Sequence, residues 1–142
     1  MPRLLIVEDE VATWLALRLQ AESAAKGLTV TRFRGRTSEF ESWSADIEAP
    51  DLVIVDLQLP DQNGINPDGG FEIIESLQRN RHKCRTIILT CRTDDQARKK
   101  ARDLPSVFSF LTKPWNQDEL NAAIRSCLDA TATARTQESR KS

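Results

Sequence analysis

Three short runs in this sequence are almost wholly apolar: LLIV at residues 4–7, LVIV at 52–55 and TIIL at 86–89. A strand with one wet face would alternate apolar with polar residues, because successive side chains point to opposite sides. Unbroken runs rich in Val and Ile instead describe strands buried on both faces, as in a parallel sheet. Parallel strands need long crossovers, normally helices, and the intervening segments have helical patterning. Val11, Leu15 and Leu19 recur every four residues, which predicts a helix over 11–26, stopped at Gly27. LTVTRF (28–33) is rich in β-branched residues and reads as a second strand. Ser38 and Glu41 have capping-box spacing and open a helix that ends before Pro50. Phe71, Ile74 and Leu77 share one face of a helix over 71–80. Thr93 and Gln96 repeat the capping spacing before a helix carrying Ala97, Ala101 and Leu104. VFSFLT (107–112) is a fifth strand, and Asn116 and Glu119 open a last helix with the stripe Leu120, Ile124 and Leu128.

Five strands alternating with helices predict an α/β domain, a sheet covered on both faces, over residues 1–129. After Asp129 no apolar side chain is larger than alanine, so residues 130–142 are expected to be a disordered tail. Twenty basic side chains against twenty-one acidic ones leave a net charge of −1, which gives no support to direct nucleic-acid binding. No apolar run approaches the roughly 20 residues of a membrane span, and MPRLLIVEDE lacks the apolar core of a signal peptide. Cys84, Cys91 and Cys127 are odd in number and form no CxxC pair, which suits thiols in a reducing cytoplasm. His82, between Arg81 and Lys83, reads as a surface residue.

In open parallel sheets ligands bind beyond the carboxyl ends of the strands, where strand order reverses. The first strand runs into Glu8, Asp9 and Glu10, the third into Asp56, the fourth into Thr90 and the fifth into Lys113-Pro114. If the first and third strands are neighbours, their carboxylates crowd together. Two such charges about 4 Å apart repel by about 4 kcal/mol at an effective dielectric near 20. Such a cluster holds protons or binds a hard divalent cation. Adding a lysine and a hydroxyl completes what phosphoryl transfer to a carboxylate requires.

With LLIVEDE, PDLVIVDLQLP, GGFEIIESL, TIILT and FLTKPW in this order, residues 3–129 resemble the receiver domain of two-component response regulators. The resemblance implies a flavodoxin-like (βα)5 fold, a doubly wound parallel five-stranded sheet of order 2-1-3-4-5. It implies that Asp56 is the phosphoacceptor and that Glu8, Asp9 and Asp56, with the backbone carbonyl of Gln58, hold Mg²⁺ or Mn²⁺. Thr90 is then the switch hydroxyl, Lys113 the phosphate-facing ammonium and Phe110 the switch aromatic, with a cis peptide between Lys113 and Pro114. Gln58, Cys91 and Arg92 occupy positions that tune access and dephosphorylation. Cys91 stands where the family usually has alanine.

Each residue also has a plainer reading. Asp9 and Glu10 suit the first turn of a helix, Asp56 suits a turn, and Thr90 and Lys113 suit a strand end. Phe110 can be a core aromatic, and the basic run Arg98, Lys99, Lys100 and Arg102 a solvated helix face or one turned to an acidic partner. Asp61 and Asp68 have turn chemistry as their best explanation. The connection after Asp56 is unusual: Gly70 lies fourteen residues beyond it, about six more than the resemblance implies, and loop entropy makes such an insertion cheap. It is either a neutral surface loop or a segment, residues 63–69, that leans over the metal site or meets a partner.

By resemblance the chain is a stand-alone, chemotaxis-type receiver: a cytoplasmic regulatory phosphoacceptor rather than an enzyme. It would take a phosphoryl group from a sensor histidine kinase, a histidine phosphotransfer protein or a small donor. Its output would be a protein contact on the face of the fourth helix, fifth strand and fifth helix. The alternative is a receiver cut from a longer regulator with a DNA-binding or enzymatic output domain. An aspartyl-phosphate hydrolase would place its nucleophile in a DxDxT pattern after the first strand, where this chain reads EDEVA. A receiver acting as a scaffold without phosphate is a milder possibility, which the complete site argues against.

Overall fold

The structure, a computed structural model, describes residues 2–46, 49–80 and 84–141. His82 lies outside the described residues. Five strands form one parallel sheet: β1 (Arg3–Val7), β2 (Thr29–Phe33), β3 (Leu52–Val55), β6 (Arg85–Thr90) and β7 (Val107–Thr112), in the order β2-β1-β3-β6-β7. Counted within the sheet this is 2-1-3-4-5. Two further strands, β4 (Leu59–Asp61) and β5 (Gly64–Asn66), form a separate antiparallel hairpin after β3. The helices are α1 (Val11–Ala24), α2 (Ser38–Asp46), α3 (Gly69–Arg79), α4 (Asp95–Arg102) and α5 (Gln117–Lys141).

The period-two alternation of strand side chains splits the core in two. Leu5, Val7, Val53, Val55 and Ile88 face Phe40, Phe71, Ile74, Leu77, Ala97 and Ala101, from α2, α3 and α4. Their neighbours Leu4, Ile6, Leu52, Ile54, Ile87 and Leu89 face Leu17 and Ala21 of α1 and Leu120, Ile124 and Cys127 of α5. The α3 and α5 stripes are therefore those read from the sequence, with Leu128 partly buried. Leu104 packs on the core just beyond the end of α4.

The first helix differs from expectation. Val11, Leu15 and Leu19 are 57%, 44% and 68% exposed, while Leu17 and Ala21 are buried and Trp14 and Ala24 pack beside them. Two faces of this helix carry apolar residues, and the one that carries Trp14, Leu17, Ala21 and Ala24 packs into the half of the core shared with α5. Ranking side chains by hydrophobicity selects the other.

Two helix starts also shift by one residue. The Thr37 hydroxyl, not Ser38, accepts from the Phe40 amide at 3.1 Å. The Asp94 carboxylate, not Thr93, accepts from the Ala97 amide at 3.1 Å. Asn116 caps α5 as expected, its side-chain oxygen accepting from the Glu119 amide at 3.0 Å. At the other end, α5 runs on to Lys141, through most of the stretch read as a disordered tail. Residues 130–141 contain no Gly or Pro and several good helix formers, so nothing in them ends a helix already begun.

Candidate functional site

Sheet order reverses between β1 and β3, whose crossovers lead to opposite faces, and the crevice there opens at their carboxyl ends. The register pairs Val7 with Val55, so Glu8 and Asp56 leave adjacent strands side by side. The Asp56 amide donates to the Val7 carbonyl at 3.1 Å, which carries the pairing one residue further. Both carboxylates are buried, at 4% and 8% exposure. Lys113 arrives from the end of β7, its amide donating to the Thr90 carbonyl at 2.9 Å. Its Nζ donates to Glu8 Oε2 at 2.8 Å and to Asp56 Oδ2 at 2.7 Å. The Lys113–Pro114 peptide is cis.

The remaining carboxylate oxygens take backbone donors: Asp56 Oδ1 accepts from the Gln58 amide at 3.1 Å, and Glu8 Oε1 from the Glu10 amide at 3.2 Å. Burial pushes the Glu8 pKa up, and Lys113 pulls it only partly back. Burial on its own would lower the Lys113 pKa, but the hydrogen bonds and charges of Asp56 and Glu8 outweigh it and hold it above the ordinary lysine value.

Thr90 is fully buried, and its Oγ1 accepts from the Arg92 amide at 3.2 Å. Cys91 is exposed. Phe110 is half-buried against the α3 and α4 side of the core, with the Arg98 guanidinium 5.2 Å from its ring centre. The Gln58 side chain is exposed, so its link to the pocket is through the backbone.

Asp9 is not gathered into the pocket. Its carboxylate, 39% exposed, faces Arg34 at 3.3 Å. Among the described residues no group of three or more His, Cys, Asp or Glu has the arrangement of a metal site.

Sequence reasoning missed three neighbours. Arg32 donates to the carbonyls of Glu8 (3.1 Å) and Asp9 (3.0 Å) and sits 4.9 Å from the Trp14 ring centre, fixing the acidic turn from β2. Arg34 is the second. The third is Asp68, whose carboxylate pairs with Arg92 at 3.0 Å instead of closing a turn. Asp61 does what was expected, its Oδ1 accepting from the Asn63 amide at 2.7 Å. An arginine on an edge strand or just past its end carries no spacing signal, so neither Arg32 nor Arg34 could be found from sequence.

The family described as the response regulator receiver domain matches residues 4–125. The chain belongs to the response regulator receiver family. The KDP operon transcriptional regulatory protein KdpE of Escherichia coli is 34% identical over 128 residues, covering 90% of this chain and 52% of that protein. The transcriptional regulatory protein KdpE of Mycobacterium tuberculosis is 30% identical over 131 residues, covering 90% and 51%. The receiver thus spans about half the length of these relatives. Among solved structures, the signal receiver domain of a putative Luxo repressor protein from Vibrio parahaemolyticus superposes with TM-score 0.79 at 20% identity, covering 96% of this chain and 97% of that one. A CheY-like receiver domain protein from Methanospirillum hungatei gives 0.77 at 21%, covering 94% and 98%. These likenesses establish the fold.

Receivers are regulatory phosphoacceptors of two-component systems and generally bind Mg²⁺ at an acidic site. The donor chemistry here fits a hard divalent ion: Glu8 and Asp56 converge, and among the described residues only Lys113 forms an ion pair with them. Asp9 lies one residue along but is held by Arg34. No helix is long and apolar enough to cross a membrane among the described residues.

Proposed function

We propose that this receiver accepts a phosphoryl group on Asp56 and uses it to switch a protein-binding face. The observation that carries the reading is the buried Asp56 carboxylate held at 2.7 Å by Lys113, beside Glu8, at the sheet's reversal point. An Asp56 oxygen attacks phosphorus, and the bond from phosphorus to the donor breaks. The leaving atom, an imidazole nitrogen of phosphohistidine or an acetate oxygen of acetyl phosphate, departs with the electron pair. Later attack by water on phosphorus returns the free carboxylate and releases phosphate. Lys113 neutralises one phosphoryl oxygen and orients the carboxylate, and the Thr90 hydroxyl donates to another once it turns inward.

Glu8, Asp9, Asp56 and the Gln58 carbonyl would hold Mg²⁺ or Mn²⁺, which when bound adds positive charge opposite the phosphoryl oxygens. Burial around Glu8 favours a site that stays nearly dry, where these charges act strongly. Cys91 and Arg92 border the opening and set donor access and phosphate lifetime. Thr90 and Phe110 pass the change to the face of α4, β7 and α5, where a downstream protein binds. The donor is a cytoplasmic sensor histidine kinase or a histidine phosphotransfer protein.

A second reading is favoured by the lengths of the relatives. Two are named transcriptional regulators and are about twice the matched length, so the receiver can serve a DNA-binding output domain. In that arrangement the contact to DNA belongs to the output domain.

Incubation with Mg²⁺ and acetyl phosphate followed by intact-mass measurement tests the central claim. Wild type should gain one phosphate, and Asp56→Ala should gain none. Absence of the gain in wild type, or its persistence in Asp56→Ala, refutes the reading.

A further inference from the structure

The segment between β3 and α3 is tied to the turn after Thr90 by one guanidinium. Arg92 Nη1 donates to the Pro67 carbonyl at 2.8 Å and to Asp68 Oδ1 at 3.0 Å. Its Nε and Nη2 donate to the two oxygens of Asp94, each at 3.0 Å. The side chain is 14% exposed, although Asp68 and Asp94 are largely in solvent. Asp94 is also the cap of α4. One arginine thus joins the end of the hairpin to the start of α4.

Both ends of this bridge are anchored close to the phosphorylation pocket. On one side, Asp68 directly precedes α3, whose Gly70 amide donates to the Leu57 carbonyl at 3.0 Å. A Cβ on Gly70 would run into the backbone of Asp56 and come within 2.7 Å of Leu57 Cα, so α3 starts in contact with the strand end that carries Asp56. On the other side, the Arg92 amide donates to Thr90 Oγ1, so the Thr90 hydroxyl bonds within its own turn. Turning the Thr90 hydroxyl toward Asp56 gives up this hydrogen bond, and the turn that makes it is tied at its side-chain end to Asp68.

We propose that Asp68 and Arg92 are positioning residues: the insertion holds the Thr90 turn in its unphosphorylated place and slows phosphorylation of Asp56. This rests on the reading of Asp56 as phosphoacceptor and Thr90 as its switch hydroxyl. The clamp acts only on the arrangement it is seen in, and a phosphoryl group favours the other. Loosening the clamp therefore shifts the balance toward the state that accepts phosphate. The effect is modest, because an ion pair with one exposed partner is individually weak.

The test follows phosphate gain by mass with Mg²⁺ and acetyl phosphate, in the full chain, and the urea midpoint of each variant. Asp68→Asn keeps the shape and removes the charge; it should be labelled roughly three times faster than wild type, with a similar midpoint. Asp68→Glu should return toward the wild-type rate. Asp61→Asn removes a hairpin charge that does not touch Arg92 and should leave the rate unchanged. In an Arg92→Gln background, Asp68→Asn should add nothing. Labelling of wild type with no change in Asp68→Asn overturns the clamp alone, as does an equal rise in Asp61→Asn or a full additional rise over Arg92→Gln. A wild type that gains no phosphate overturns the phosphoacceptor reading and the clamp with it.

Discussion

Two acidic groupings follow the same end of the sheet, and they are held in opposite ways. Glu8 and Asp56 are buried, come from adjacent strands, and meet a lysine delivered by a third strand. Asp61 and Asp68 are exposed, lie outside the sheet on the hairpin and at the start of α3, and find partners by local turns and by one arginine. Parallel pairing sets the first grouping: each side chain sits one residue past a strand, and strand register does the rest. The second depends on how the connection between β3 and α3 folds back, which the register of the parallel sheet does not dictate. The difference separates chemistry that is robust to sequence drift from a contact that a few substitutions could remove.

The largest test of this contrast lies within the hairpin, whose root is core and whose tip is not. Leu59→Ala, at a side chain 1% exposed, should cost about 2 to 5 kcal/mol of unfolding free energy in urea. Ile65→Ser, at 65% exposure, should change it by less than about 0.5 kcal/mol. Equal effects would mean that the hairpin is not divided in this way.

In the pocket, Lys113→Met leaves two buried carboxylates facing each other and should cost about 3 kcal/mol at pH 7, the lower end for a broken buried pair because the lysine side chain is 15% exposed. Burial raises the Glu8 pKa and loss of Lys113 removes what pulls it back, so lowering the pH from 7 protonates Glu8, relieves the repulsion and should shrink this deficit. A deficit independent of pH would show that packing of the lysine stem, rather than its charge, is what was lost.

A smaller effect is expected at Arg34, which draws Asp9 outward. Arg34→Ala should tighten Mg²⁺ binding a few-fold, about what an exposed ion pair can supply, read by tryptophan fluorescence in a Mg²⁺ titration. Unchanged affinity would show that Asp9 is indifferent to this arginine.

The smallest concerns the clamp's far end. Hydrogen bonding to Arg92 and to the α4 amide holds the Asp94 pKa at about 2, below its ordinary 3.8. A depressed acid contributes stability above its unfolded pKa and loses it as pH falls through the folded one. Acid unfolding of wild type should therefore show a component between pH 3.8 and about 2 that Asp94→Asn lacks.

Particular residues show how far the sequence reaches. Asp56, Glu8 and Lys113 were legible because each ends a strand whose apolar run marks it. The caps of α2 and α4 were misplaced by one residue because two adjacent polar side chains can each reach the first free amides. The buried face of α1 was misread because Ala21 and Ala24 carry little hydrophobic signal beside Val11, Leu15 and Leu19. Asp68 was assigned to a turn because its partner is 24 residues away.

What the sequence determined by itself is the set of strands, the α/β alternation and the polar groups waiting at the strand ends, since all of these follow from period and local order. The tertiary structure alone decided that β4 and β5 pair as a hairpin, that Asp9 turns to Arg34, and that Arg92 joins Asp68 to the Thr90 turn. Those outcomes rest on distances between segments remote in the chain, and side-chain charges carry no record of which remote partner they will meet.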